Sequence, residues 1–124
     1  MKKIKVIIKR VGEEPKVELI KNDISVLQNI VDGLIDITCI PCYDDIDVIC
    51  NDEGLLMNKM PNIIRPEYKD FLVGDLIFAS YNEEGDTIGL NDEQIQKVMT
   101  YLSKNSLPKE TSYLNALIMT EAYA

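Results

Sequence analysis

The chain opens on an alternation. Ile4, Val6 and Ile8 fall on one face and Lys5, Ile7 and Lys9 on the other, the period-two pattern of a strand running to Val11. Gly12-Glu13-Glu14-Pro15 supplies a turn and Val17 and Leu19 mark a second strand, so an N-terminal hairpin is expected. Asn22 or Asp23 can cap a short helix in which Ile24, Leu27, Ile30 and Val31 recur at helical spacing. Gly33 stands where a left-handed C-terminal residue is wanted. Period two then returns from Leu34, with Ile35, Ile37 and Cys39 assigned to the buried face. Ile46, Val48 and Cys50 repeat it beyond a turn at Tyr43-Asp44-Asp45, giving a second hairpin.

Residues 51–75 carry the weakest pattern. Leu55-Leu56-Met57 fits the start of a short helix, Pro61 and Pro66 interrupt anything long, and Gly74-Asp75 makes a turn. Leu76 to Tyr81 is a near-continuous apolar run, the mark of a central strand. A loop at residues 82–86 leads to a brief Thr87-Ile88-Gly89. The clearest helix follows, with Asn91 as cap, Gln94 three residues on, Asp92 and Glu93 in the first turn and a Leu90/Ile95 staple. Ile95, Val98, Met99 and Leu102 form its buried stripe, and Asn105 stops it. Beyond Pro108, Thr111 can cap a last amphipathic segment bearing Leu114, Leu117 and Ile118.

The order β-β-α-β-β-β-α predicts an α+β fold, a mostly antiparallel sheet built from hairpins with helices packed on one face. One domain is expected over residues 1–104, followed by a C-terminal tail, 105–124, that docks as an amphipathic helix, joins another chain or stays loose.

Composition narrows the chemistry. The 124 residues are 46% hydrophobic, enough for one core. No apolar run approaches the roughly 20 residues of a membrane span. Lys5, Lys9 and Arg10 break the N-terminal apolar stretch where a signal peptide needs continuity, so a cytoplasmic setting is expected. Histidine is absent, which removes Ser-His-Asp and Cys-His nucleophile systems and the commonest zinc ligand. The net charge of −8 is uneven. Residues 1–21 hold seven basic groups against three acids, whereas residues 44–86 hold eleven acids against Lys59, Arg65 and Lys69. Direct nucleic-acid binding is therefore disfavoured and a basic protein partner favoured.

Candidate sites are few. Cys39-Ile40-Pro41-Cys42 has redox spacing, but its first cysteine ends a strand instead of starting a helix, and Tyr-Asp-Asp follows it. Cys39 and Cys50 are better read as small buried residues. Asp44, Asp45, Asp47 and Asp52 form the densest acidic patch, without a calcium-loop spacing. Asn51, Glu53, Asn62, Arg65, Tyr68 and Lys69 are the candidate binding residues. Arg65 and Lys69 suit a phosphate, and Tyr68 or Phe71 a stacked base, although core packing is the commoner use of such rings. No catalytic or metal-ligating residue is assigned, and no cofactor is expected.

Taken in order, several segments resemble a known family. They are the Glu14-Pro15 turn, Asn22 through Gly33, Ile49-Cys50-Asn51-Asp52-Glu53-Gly54, Pro61-Asn62, Gly74-Asp75-Leu76-Ile77-Phe78 and Leu90-Asn91-Asp92-Glu93-Gln94-Ile95. Over about residues 3 to 104 the chain is similar to the domain-of-unknown-function family numbered 3846. That resemblance implies a bacterial, phage or mobile-element setting, supplies no catalytic residues, and puts its recurrent Asn51-x-Glu53-Gly54 and Pro61-Asn62 in loops. The function expected is a small acidic non-enzymatic binding protein that occupies a host protein concerned with defence or DNA handling. The rival is a binder of a small molecule or signalling nucleotide, and a metal-assisted hydrolase ranks third.

Overall fold

Leu76–Tyr81 (β7) has four consecutive residues, Leu76 to Ala79, with no exposed side-chain surface, because it lies mid-sheet between two neighbours and under layers on both sides. A strand covered on both faces needs no polar alternation, which is why it shows as an unbroken apolar run. The computed structural model describes residues 2–41 and 43–122. Around β7 lie Lys3–Lys9 (β1), Lys16–Lys21 (β2), Ile35–Cys39 (β3) and Ile46–Asn51 (β4), in the order β2-β1-β7-β4-β3, all antiparallel. Pro61–Arg65 (β5) and Asp70–Val73 (β6) form a separate two-stranded sheet, and Thr87–Ile88 (β8) pairs with the end of β7. The helices are Ile24–Val31 (α1), Asp92–Asn105 (α2) and Tyr113–Ala122 (α3).

The α+β class and the antiparallel hairpins are as expected, but the helices do not share one face. Leu27 and Val31 of α1 pack with Ile4, Val6, Ile8, Ile49 and Ile77 on one side of the large sheet. Val98, Tyr101 and Leu102 of α2 pack with Ile7, Val48, Leu76 and Phe78 on the other. The cause is visible in β1, β4 and β7. In β7, Leu76 and Phe78 point one way and Ile77 and Ala79 the other, and Ile7 of β1 and Ile49 of β4 stand buried opposite their strands' main apolar rows, so each face needs a cover.

Residues 51–75, weakly patterned in sequence, hold the β5–β6 hairpin. All five β5 residues are buried, Asn62 and Arg65 included, so no alternation is visible. Ile63 faces the α2 side of the core and Ile64 packs with Leu107 and Ala116 against α3. Leu55-Leu56-Met57 is a run of turns and not a helix.

Helix ends follow their capping residues. Asp23 caps α1, its side chain accepting from the Ser25 N–H. The left-handed residue that ends α1 is Asp32 (φ 63°), one place before the expected Gly33. The Asn91/Gln94 capping box opens α2 as expected. At α3 it is Ser112 whose Oγ accepts the Asn115 N–H, while Thr111 bonds the Pro108 carbonyl. Two facing expectations fail. In β3, Ile37 and Cys39 are exposed because this strand is the sheet edge and α1 does not reach across it. In α3, Leu114, Leu117 and Ile118 point outward at 67%, 48% and 55% exposure, and the helix docks through fully buried Ala116 and Thr120. Half-buried Tyr113 and Met119 complete that docking face, against Phe71 and the Ile64–Leu107 cluster, so the other large residues of α3 are left outside. Among the described residues no helix is long and apolar enough to cross a membrane.

Candidate functional site

The residues singled out from sequence fall in separate places. Asp44 and Asp45 lie in the turn before β4, and Asp52 and Glu53 follow its other end, so one strand of about 20 Å parts the acidic patch. Asp45 is tied down, its carboxylate accepting the Gln94 side-chain amide at 2.8 Å. The Asp44 carbonyl accepts the Tyr81 hydroxyl. Asp47 sits half-buried mid-sheet, where burial raises its carboxyl pKa above the usual range. The four aspartates therefore form no common site.

Arg65 is a clamp inside the fold. Its Nε and Nη2 hold both oxygens of Asp70 at 2.8 and 2.6 Å. Its Nη1 donates to Thr38 Oγ1 and the Cys39 carbonyl, both at 2.7 Å, joining β5 to β3. The guanidinium lies 5.1 Å from the Tyr68 ring centre, and the Tyr68 hydroxyl is 3.4 Å from Cys39 Sγ. Lys69 ends the short 3-10 turn at Pro66–Tyr68 with φ 54°. Four of the five N–H groups of Arg65 are thus used within the chain, and Phe71 packs against Tyr113. Cys50 is half-buried with its thiol pKa raised by burial, Cys39 is exposed, and Cys42 lies outside the described residues. No group of three or more metal-binding side chains occurs among the described residues.

Asn51 and Asn62 do meet in purpose. Asn62 is fully buried at the bulge of β5, so it is no contact residue. Its Nδ2 donates to the carbonyls of Lys9 and Gly74 at 2.7 and 2.8 Å, and its Oδ1 accepts buried Lys9 Nζ at 2.9 Å. Burial holds the Lys9 pKa below its ordinary value, outweighing Glu14, Asp75 and Glu13. Asn51 donates to the carbonyls of Val31 and Asp32 at 3.1 and 2.9 Å and accepts the Glu53 N–H at 2.7 Å. Each asparagine fixes carbonyls at the end of the domain where α1 stops and β7 begins.

An open cleft of about 610 Å³ occupies that end. It is walled by the last residues of α1, the 57–60 turn, Gly74-Asp75 and Lys109-Glu110. Four non-glycine residues among those described have positive φ, and three of them, Asp32, Asn58 and Glu110, line this cleft with Gly74 (φ 75°). Such backbone is uncommon and gathers at functional surfaces. Lys59 bridges to Asp32 at 2.7 Å, and that bond holds the Asp32 carboxyl below its usual range. Asp75 accepts the Val11 N–H at 3.0 Å. Met57 and Met60 supply an adaptable apolar floor. Three carboxylates against two lysines, beside the negative end of α1, make the cleft mildly acidic. Sequence reading missed it because its lining comes from five separated segments. The signal within reach was the polar pair Asn51 and Asn62 standing among apolar strand residues.

Neither a curated protein nor a solved structure matches the chain. The sequence model of one family does, over residues 4–103, ending before α3 begins. By that match the chain belongs to the family described as Domain of unknown function (DUF3846).

Proposed function

We propose that this is a non-enzymatic binding protein whose cleft at the C-terminal end of α1 receives a basic side chain of a partner protein. One observation carries the reading: left-handed Asp32, Asn58 and Glu110 surround a single cleft whose backbone is pinned by buried Asn51 and Asn62. A Lys or Arg suits it, with the aliphatic stem on Met57 and Met60 and the charged head among Asp75 and Glu110. The overall charge of −8 would draw such a partner in. In the phage or mobile-element setting that the family resemblance implies, the partner would be a host defence or DNA-handling protein.

The test is capture from cell lysate by the tagged protein and by Met57→Lys/Glu110→Lys, with Leu117→Ser on α3 as a control. The reading expects one stoichiometric protein, released by salt, retained by Leu117→Ser and lost with the double variant. Capture indifferent to the double variant would refute it.

A further inference from the structure

At the opposite end of α1 lies a second, oppositely charged groove, and we infer that it binds an acidic, apolar-bearing peptide segment of a partner protein. The groove lies where the first residues of β1, the start of α1, β3 and the 86–90 segment come together. The opening has a volume of about 790 Å³. Ile24, Ile37 and Ile88, each at least 38% exposed, lie along it.

The electrostatics run against the rest of the molecule. Lys2, Lys3 and Lys5 line the groove, and Asp86 is the only carboxylate among its lining residues. Asp86 is itself bonded by the loop residue Asn82. In the β1–β2 ladder Lys3 stands directly opposite Lys21, a like-charge pair that weakens a hairpin. Acids outnumber bases 21 to 13 in the chain, yet among the described residues no ion pair reaches Lys2, Lys3, Lys5 or Lys21. An unneutralised lysine cluster in so acidic a chain is relieved by an anion from outside. The occupant is a peptide and not a phosphate chain for two reasons. The lysines border isoleucines, which a polyphosphate cannot use, and no arginine is present to grip phosphate in the bidentate manner. Carboxylates alternating with Leu or Phe satisfy both the rim and the floor.

The test is fluorescence anisotropy of the full chain with a labelled peptide of about ten residues alternating Glu or Asp with Leu or Phe. A Glu-only peptide of equal length, single-stranded DNA and phosphatidylserine vesicles are the competitors. Lys3→Glu/Lys5→Glu should weaken peptide binding at least about tenfold, the loss of two close charge partners. Ile37→Ser should weaken it too, and the Glu-only peptide should bind at least about tenfold more weakly. Circular dichroism shows that each variant is folded, which exposed positions favour. Equal binding by wild type and the lysine variant would overturn the proposal, as would no binding, or displacement of the peptide by DNA or vesicles at lower concentration than by unlabelled peptide.

Discussion

The carboxamide of Asn51 occupies the space that a side chain on Gly33 would need: a Cβ at residue 33 would fall 2.6 Å from Asn51 Nδ2. Gly33 also has φ +152°, a backbone that only glycine adopts without strain. The two residues form one device that closes the end of α1 and shapes the cleft wall. Gly33→Ala should therefore cost about 2–4 kcal/mol, strain and displacement together. Asn51→Ala should cost about 2–3 kcal/mol by orphaning two carbonyls and an N–H. Urea denaturation measures both.

A buried lysine without a carboxylate hydrogen-bond partner leaves a signature in pH. Burial lowers the folded-state pKa of Lys9 beneath its ordinary 10.5. In the window between the two values the unfolded chain binds more protons, so the Lys9 contribution to stability rises with pH. Tyr101 acts with the opposite sign at higher pH. Its pKa is raised by burial and by Glu67, so stability is lost above the ordinary value of 10. Denaturation midpoints followed upward from pH 7 towards 10.5 should rise in wild type relative to Lys9→Met, which lacks the Lys9 component.

Asp47 carries its charge in a half-buried place, with its pKa raised by burial alone. The unfolded chain ionises first as pH rises, so the folded state is penalised at neutral pH. Asp47→Asn should stabilise the protein at pH 7 by less than about 1 kcal/mol, since solvent reaches the group. The gain should vanish below the ordinary carboxyl value of 3.8. Thermal melts at the two pH values decide it.

On α3, exposure and size are reversed from an amphipathic expectation. Ala116→Leu, into a fully buried position, should cost about 1–3 kcal/mol by overpacking. Leu117→Ser should stay within about 0.5 kcal/mol.

Where one physical rule governed, the sequence could be read. The box at Asn91 and Gln94, the run of β7 and the opening hairpin each depend on neighbours within a few residues. What escaped depends on distant ones. Ile37 looks like a core residue by alternation and is exposed only because β3 is an edge beyond the reach of α1. Asn62 and Arg65 look like ligand-binding residues because they are polar, yet Lys9, Gly74, Asp70 and Thr38 consume them from up to 53 positions away. The candidate site shows the same division. Asn51 and Asn62 stand out as polar residues in the sequence, but the cleft they hold open gathers Val11, Asp32, Met57, Asp75 and Glu110, which no local pattern joins.

The binding reading is tested most directly by the methyl resonances of the methionines. Met57 and Met60 floor the cleft, whereas Met99 and Met119 pack on other parts of the core. Titrating the labelled protein with a short Arg- and Lys-containing peptide should move the Met57 and Met60 signals alone, and added salt should reverse the shift. Unmoved Met57 and Met60 signals, or equal movement at Met99 and Met119, would contradict the account.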